Sequence, residues 1–136
     1  LVVDDQVLNL KLMVRDIERK LALPNAQITA VSNSKDALAR LQSRVLPPVD
    51  IAFLDENLEP CGLSGTELTR IIREEEIAVQ AEIGARQRRM IIVGCTGNEG
   101  LEYNVMALEV GQDLVLGKPR SKGWESLLRG MIVERF

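Results

Sequence analysis

The 136-residue chain contains no histidine. Ser-His-Asp and Cys-His catalysis both need an imidazole, as do the usual zinc sites, so any chemistry falls to carboxylates, lysine, threonine and a bound metal. Aromatic residues are scarce, with one Trp, one Tyr and two Phe, too few for a base-stacking surface. A net charge of -3 opposes binding to a phosphate backbone, so direct nucleic-acid contact is not expected. The two cysteines, Cys61 and Cys95, have neither metal-ligand spacing nor a disulfide framework and read as reduced thiols, Cys95 in the core and Cys61 exposed in a loop. No apolar run reaches the length of a membrane span, so this segment is not expected to enter a bilayer; the expected location is cytoplasmic, with tethering to a membrane sensor through flanking sequence as the alternative.

What is present is the composition of one globular domain covering residues 1–136, without repeats, low-complexity tracts or linkers. The chain opens at Leu1 inside an apparent strand and reads as a segment of a longer protein, whose targeting signals would lie outside it. Strand and helix patterns alternate about five times. "LVV" precedes a helix running from Val7 through Ile17 and Leu21 to a stop at Pro24-Asn25. "QITAV" (27–31) is a strand and "SNSKDALARLQSRV" a helix capped by Ser32, Asn33 or Ser34, before Pro47-Pro48 forces a loop. "VDIAFLD" (49–55) is a third strand, with Asp50 at its polar opening. Ser64 or Thr66 starts a helix through "ELTRIIREEEIAVQAEIGARQRR", with a break at Gly84, and Arg86, Arg88 and Arg89 complement its C-terminus. "MIIVGC" (90–95), a helix stopped by Gly111, "DLVLG" (113–117) and a last helix containing Gly123 and Gly130 complete the pattern.

Such alternation predicts a doubly wound α/β fold, a five-stranded parallel sheet with helices on both faces; of the two common doubly wound orders, 2-1-3-4-5 is the one that sets strands one and three side by side. Ligands then bind beyond the carboxyl ends of the strands, at the switch point between strands one and three. Those ends carry Asp4 and Asp5, Asp55, Thr96 and Lys118. Three carboxylates gathered there need either a raised pKa or a cation among them, and Mg²⁺, with Mn²⁺ as the alternative, suits an all-oxygen site. A remaining carboxylate can attack a phosphoryl group, while Lys118 and Thr96 stabilise the charge on its oxygens.

"VVDD", "DIAFLD", "IIVGCTG" and "GKP", in that order, resemble the receiver domain of two-component response regulators and of hybrid sensor histidine kinases. The resemblance spans almost the whole chain and implies a flavodoxin-like, CheY-like three-layer fold. It implies that Asp55 is the phosphoacceptor, that Asp4, Asp5, Asp55 and the Asn57 carbonyl hold Mg²⁺, and that Thr96 and Lys118 contact the phosphoryl group. It further implies a cis bond before Pro119, phosphate access beside Gly97, and a histidine kinase or histidine phosphotransfer protein as donor. Asn9 in "DDQVLNLKLM" resembles the hybrid-kinase and phosphorelay subset.

Three features depart from that pattern. Pro60 and Gly65 fall five and ten residues after Asp55, in a loop about two residues longer than is usual for the family. Val115 stands where the family has an aromatic switch residue, and the stretch before the fourth strand is extended. Taken singly, Asp4 or Asp5 and Thr96 read as helix caps and Lys118 as a solvated lysine; their joint order carries the receiver reading. Two other functions stay open: a receiver fold that binds partners without phosphorylation, and an aspartate-nucleophile phosphatase, although "DEN" lacks the second Asp of that motif.

Overall fold

Successive side chains on a strand point to opposite faces, and here both faces are apolar. Val2, Phe53, Ile91 and Val93 serve one face of a sheet, while Val3, Ala52, Leu54 and Ile92 serve the other. In the computed structural model, which describes residues 1–58, 62–84, 89–97 and 100–136, this pattern builds a five-stranded parallel sheet. Its strands are β1 (Val2–Val3), β2 (Ala30–Val31), β3 (Ile51–Asp55), β4 (Ile91–Thr96) and β5 (Leu114–Gly117), in the order β2-β1-β3-β4-β5. The doubly wound order 2-1-3-4-5 is the one observed. Pro60, Cys61, Arg86 and Arg88 lie outside the described residues.

Helices α1 (Val7–Asp16) and α5 (Trp124–Arg135) cover the first face. Met13, Trp124 and Leu128 pack there with Ile17 and Leu21, which belong to a π-helical turn continuing α1. Phe53 meets Trp124 edge to face, with ring centroids 6.3 Å apart. Helices α2 (Ser34–Leu41) and α3 (Gly65–Ile83) cover the second face through Ala37, Leu68 and Ile72. Each fully buried Leu or Ile contributes about 1.5–3 kcal/mol, so the two apolar faces fix strand register firmly. Helix α4 (Leu101–Glu109) buries Ala107 and exposes Leu101, Val105 and Leu108.

Several predicted boundaries move, each for a local reason. Strand β2 is two residues rather than five because it is the sheet edge, paired only with β1. Asn33 caps α2 by accepting the Asp36 amide, but the helix stops at Leu41 rather than running to Val45. The Ser43 hydroxyl accepts the amides of Val45 and Leu46, a local turn that competes with helical bonding. Ser64 caps α3 through the Glu67 amide, and Gly84, at φ 66°, ends the helix instead of interrupting it. Arg89 therefore does not complement that helix C-terminus; its guanidinium lies 3.9 Å from Asp113.

Arg73 ties α3 to the starts of β4 and β5. It is 8% exposed, pairs with Asp113 and Glu76 at 2.8 Å, and donates to the carbonyls of Met90 and Gly111. Removing one partner of such a buried set leaves charges and carbonyls uncompensated. Arg73→Ala is therefore expected to lower the unfolding free energy by about 3 kcal/mol in urea titrations.

Candidate functional site

Parallel register brings the polar residues together. Val3 pairs with Leu54, so Asp4 and Asp55 follow at the same level on adjacent strands. Asp55 pairs with Cys95, which puts Thr96 one step beyond, and Thr96 pairs with Gly117, which puts Lys118 one step further. The residues thus climb along the carboxyl edge of the sheet.

Oxygens of Asp4, Asp5 and Asp55 all lie within 4.8 Å of one another. Asp4 and Asp55 are buried and Asp5 is half-buried. The Lys118 ammonium stands 2.6 Å from Asp55 Oδ1 and 3.5 Å from Asp4 Oδ2. Asp4 Oδ1 also accepts the Gln6 amide just before α1, a local turn bond; Gln6 is the N-cap and no side-chain cap bond forms there, so Asp4 belongs to the site and does not cap the helix. Thr96 is buried. Asn57 is exposed two residues past Asp55. A Cβ added to Gly97 would meet nothing within 4 Å, which leaves open space beside Thr96. The Lys118–Pro119 peptide is cis.

Burial raises the Asp55 pKa, and Lys118 opposes that rise while Asp4 and Asp5 add to it. For Lys118, burial favours the neutral amine, but Asp55 and Asp4 outweigh it and the net shift is upward. Lysine therefore stays charged and partly offsets the carboxylate repulsion. The donor set fits Mg²⁺: oxygens of an octahedron at about 2.1 Å lie at most roughly 4.2 Å apart, close to the spacing already present.

Residues 1–124 match the response regulator receiver domain family. The chain belongs to that family. This receiver domain resembles the signal receiver domain of a DNA-binding response regulator from Colwellia psychrerythraea 34H at 18% identity and TM-score 0.75, covering 96% of this chain and 94% of that one. It also resembles the receiver domain of NtrX from Brucella abortus (21% identity, TM-score 0.68, covering 99% and 98%). A CheY-like receiver domain from Methanospirillum hungatei JF-1 matches at 22% identity and TM-score 0.59, covering 98% and 88%. At these identities the structural likeness shows the fold. No curated protein matches the sequence. Receiver domains take a phosphoryl group within two-component signalling, from histidine kinases or phosphotransfer proteins, and hold Mg²⁺ at an acidic cluster. The grouped carboxylates here are Asp4, Asp5 and Asp55.

The displaced Gly65 has a steric reason. A Cβ there would lie 2.6 Å from the Asp55 carbonyl oxygen, and the Gly65 amide donates to the Glu56 carbonyl. The start of α3 thus approaches the end of β3 as closely as backbone allows, despite the longer intervening loop.

Sequence reasoning passed over Glu56, Tyr103 and Arg120. Glu56 accepts the Thr66 amide and hydroxyl at the start of α3, and the Tyr103 hydroxyl at 2.6 Å. Arg120 pairs with Asp16 of α1 and lies over the Trp124 ring. The available signals were a carboxylate adjoining Asp55, the sole tyrosine, and a cation two residues past Lys118.

Two outcomes test this geometry. Gly65→Ala should cost about 2 kcal/mol, the usual scale of overpacking, measured by thermal or urea unfolding. Burial pushes the Cys95 thiol up to about 12, so thiolate appears only as the pH nears that value. Peptide mapping after iodoacetamide at pH 8 should find Cys95 unlabelled in the native protein and labelled in denaturant.

Proposed function

We propose that Asp55 is the phosphoacceptor of this receiver domain. The observation that carries the reading is the Asp4–Asp5–Asp55 cluster with the Lys118 ammonium seated on Asp55. An Asp55 oxygen attacks phosphorus of a phosphohistidine on a histidine kinase or histidine phosphotransfer protein; the P–N bond breaks as the O–P bond forms, and the electron pair leaves on the imidazole. Lys118 and Thr96 hold the phosphoryl oxygens, where charge is spread in a loose transition state. Asp4, Asp5, Asp55 and the Asn57 carbonyl would hold Mg²⁺, or Mn²⁺. The cation supplies neutralisation of the carboxylates and of the incoming phosphoryl charge. With no histidine in the chain, the donor must be another protein or domain.

Residues 1–136 act as one receiver unit, in a style similar to hybrid sensor histidine kinases. Its output is passed by the face that includes α4, β5 and α5, where Leu101, Val105 and Leu127 are exposed. The acidic net charge argues against direct nucleic-acid contact. No helix among the described residues is long and apolar enough to cross a membrane; the cytoplasmic site of action that we propose follows from the receiver role.

Incubation with Mg²⁺ and acetyl phosphate, followed by intact mass, is expected to add one phosphoryl group to the wild type and none to Asp55→Asn. Chelating Mg²⁺ should stop the reaction. Thr96→Ala and Lys118→Ala should each slow it by about a hundredfold, the scale for losing one donor to a developing oxyanion. An unmodified wild type overturns the reading, and multiple turnover on phosphomonoesters would mark a phosphatase instead.

A further inference from the structure

Helix α4 reaches the site through a phenol. Tyr103 lies in its first turn, half-buried, and donates its hydroxyl proton to Glu56 Oε2 at 2.6 Å. The Thr96 side chain contributes a hydrogen bond to the same phenol. Having given its own proton to Glu56, the Tyr103 oxygen is the acceptor in that second bond. Among the described residues, Tyr103 is the one α4 side chain hydrogen-bonded to another element.

Glu56 makes the other end of this contact rigid. Its amide donates to the Cys95 carbonyl, one residue before Thr96, and its carboxylate takes the amide and hydroxyl of Thr66 at the α3 N-terminus. Carboxylates are favoured at that end of a helix. Glu56 is therefore a fixed acceptor directly adjoining Asp55, and α4 is the movable partner. The N-cap of α4 is Gly100, which has no side chain to make a cap bond, and Leu101 is 77% exposed. On β5, Val115 has no hydroxyl with which to make an equivalent link.

We propose that Tyr103 is a positioning residue that couples Thr96 to helix α4, holding α4 against Glu56 until Asp55 is phosphorylated. The proposal rests on Asp55 being the phosphoacceptor. Threonine has one hydroxyl proton. When Thr96 gives it to a phosphoryl oxygen, Tyr103 loses that donor. A chain of hydrogen bonds weakens when one member leaves it, so the hold on the first turn of α4 loosens and its exposed apolar side chains repack. The signal leaves along α4 by way of a tyrosine that the helix itself carries.

With one tyrosine in the chain, ring-¹³C tyrosine labelling gives a single residue to follow by NMR. The wild type, treated with Mg²⁺ and acetyl phosphate, should show the Tyr103 resonances shift as the phosphoryl group is gained, and Asp55→Asn should show neither change. Tyr103→Phe removes the hold and is expected to phosphorylate about tenfold faster, the factor for one modest hydrogen bond biasing a two-state element. Glu56→Gln keeps an acceptor without the charge and should fall between them. A purely structural tyrosine would lower the melting temperature without changing that rate. A wild type that is phosphorylated while the tyrosine signals stay fixed, with Tyr103→Phe reacting at the wild-type rate, overturns the coupling alone. A wild type that gains no phosphoryl group overturns the Asp55 reading, and the coupling with it.

Discussion

Carboxylate repulsion at the carboxyl edge of the sheet is the constraint around which the molecule is arranged. At 4.8 Å two like charges cost roughly 3–4 kcal/mol with an effective dielectric near 20, and three such pairs are present. Lys118 offsets part of this from within the chain, at 2.6 Å from Asp55 and 3.5 Å from Asp4. Its position depends on β5 holding register with β4, which Thr96–Gly117 pairing sets. The apolar faces that lock the strands are therefore also what keeps the ammonium among the carboxylates. Stability and chemistry share one scaffold, because a register slip would move Lys118 away and leave the aspartates uncompensated.

The fold was legible because its strongest signals are periodic. Apolar strand runs, alternation with helical patterns and turn residues between them agree with one another and give the doubly wound class, while the order 2-1-3-4-5 is the one of two common orders that gathers the polar strand ends. The grouping of Asp4, Asp5, Asp55, Thr96 and Lys118 was legible for the same reason, since each sits at a strand end. Local competition was harder to read. The helix after Asn33 keeps good periodicity past Leu41, yet the Ser43 turn wins, and the extended stretch after α3 gave Arg89 no visible partner until Asp113 was placed beside it in space.

Glu56 and Tyr103 were illegible for a different reason. They are 47 residues apart in sequence and meet only through the packing of α4 beside the end of β3, so no spacing rule reaches them. The departures from the family pattern were visible as departures, but their consequences needed coordinates. Gly65 retains close contact with the Asp55 backbone although its sequence position is displaced. Val115 leaves β5 without an aromatic ring, and the one tyrosine of the chain is found on the neighbouring helix.

The pairing of β3 with β4 and of β4 with β5 has a bearing on how such a chain can change. Asp55, Thr96 and Lys118 are spaced by backbone ladders, and the connections between strands do not enter that spacing. Length can accumulate between Asp55 and Gly65, or between Ile83 and Ile91, while these three positions keep their mutual distances. The ladder works as a gauge block, and the loops become the part of the chain free to vary in size and specificity. Those loops can diverge without re-machining the carboxylate cluster.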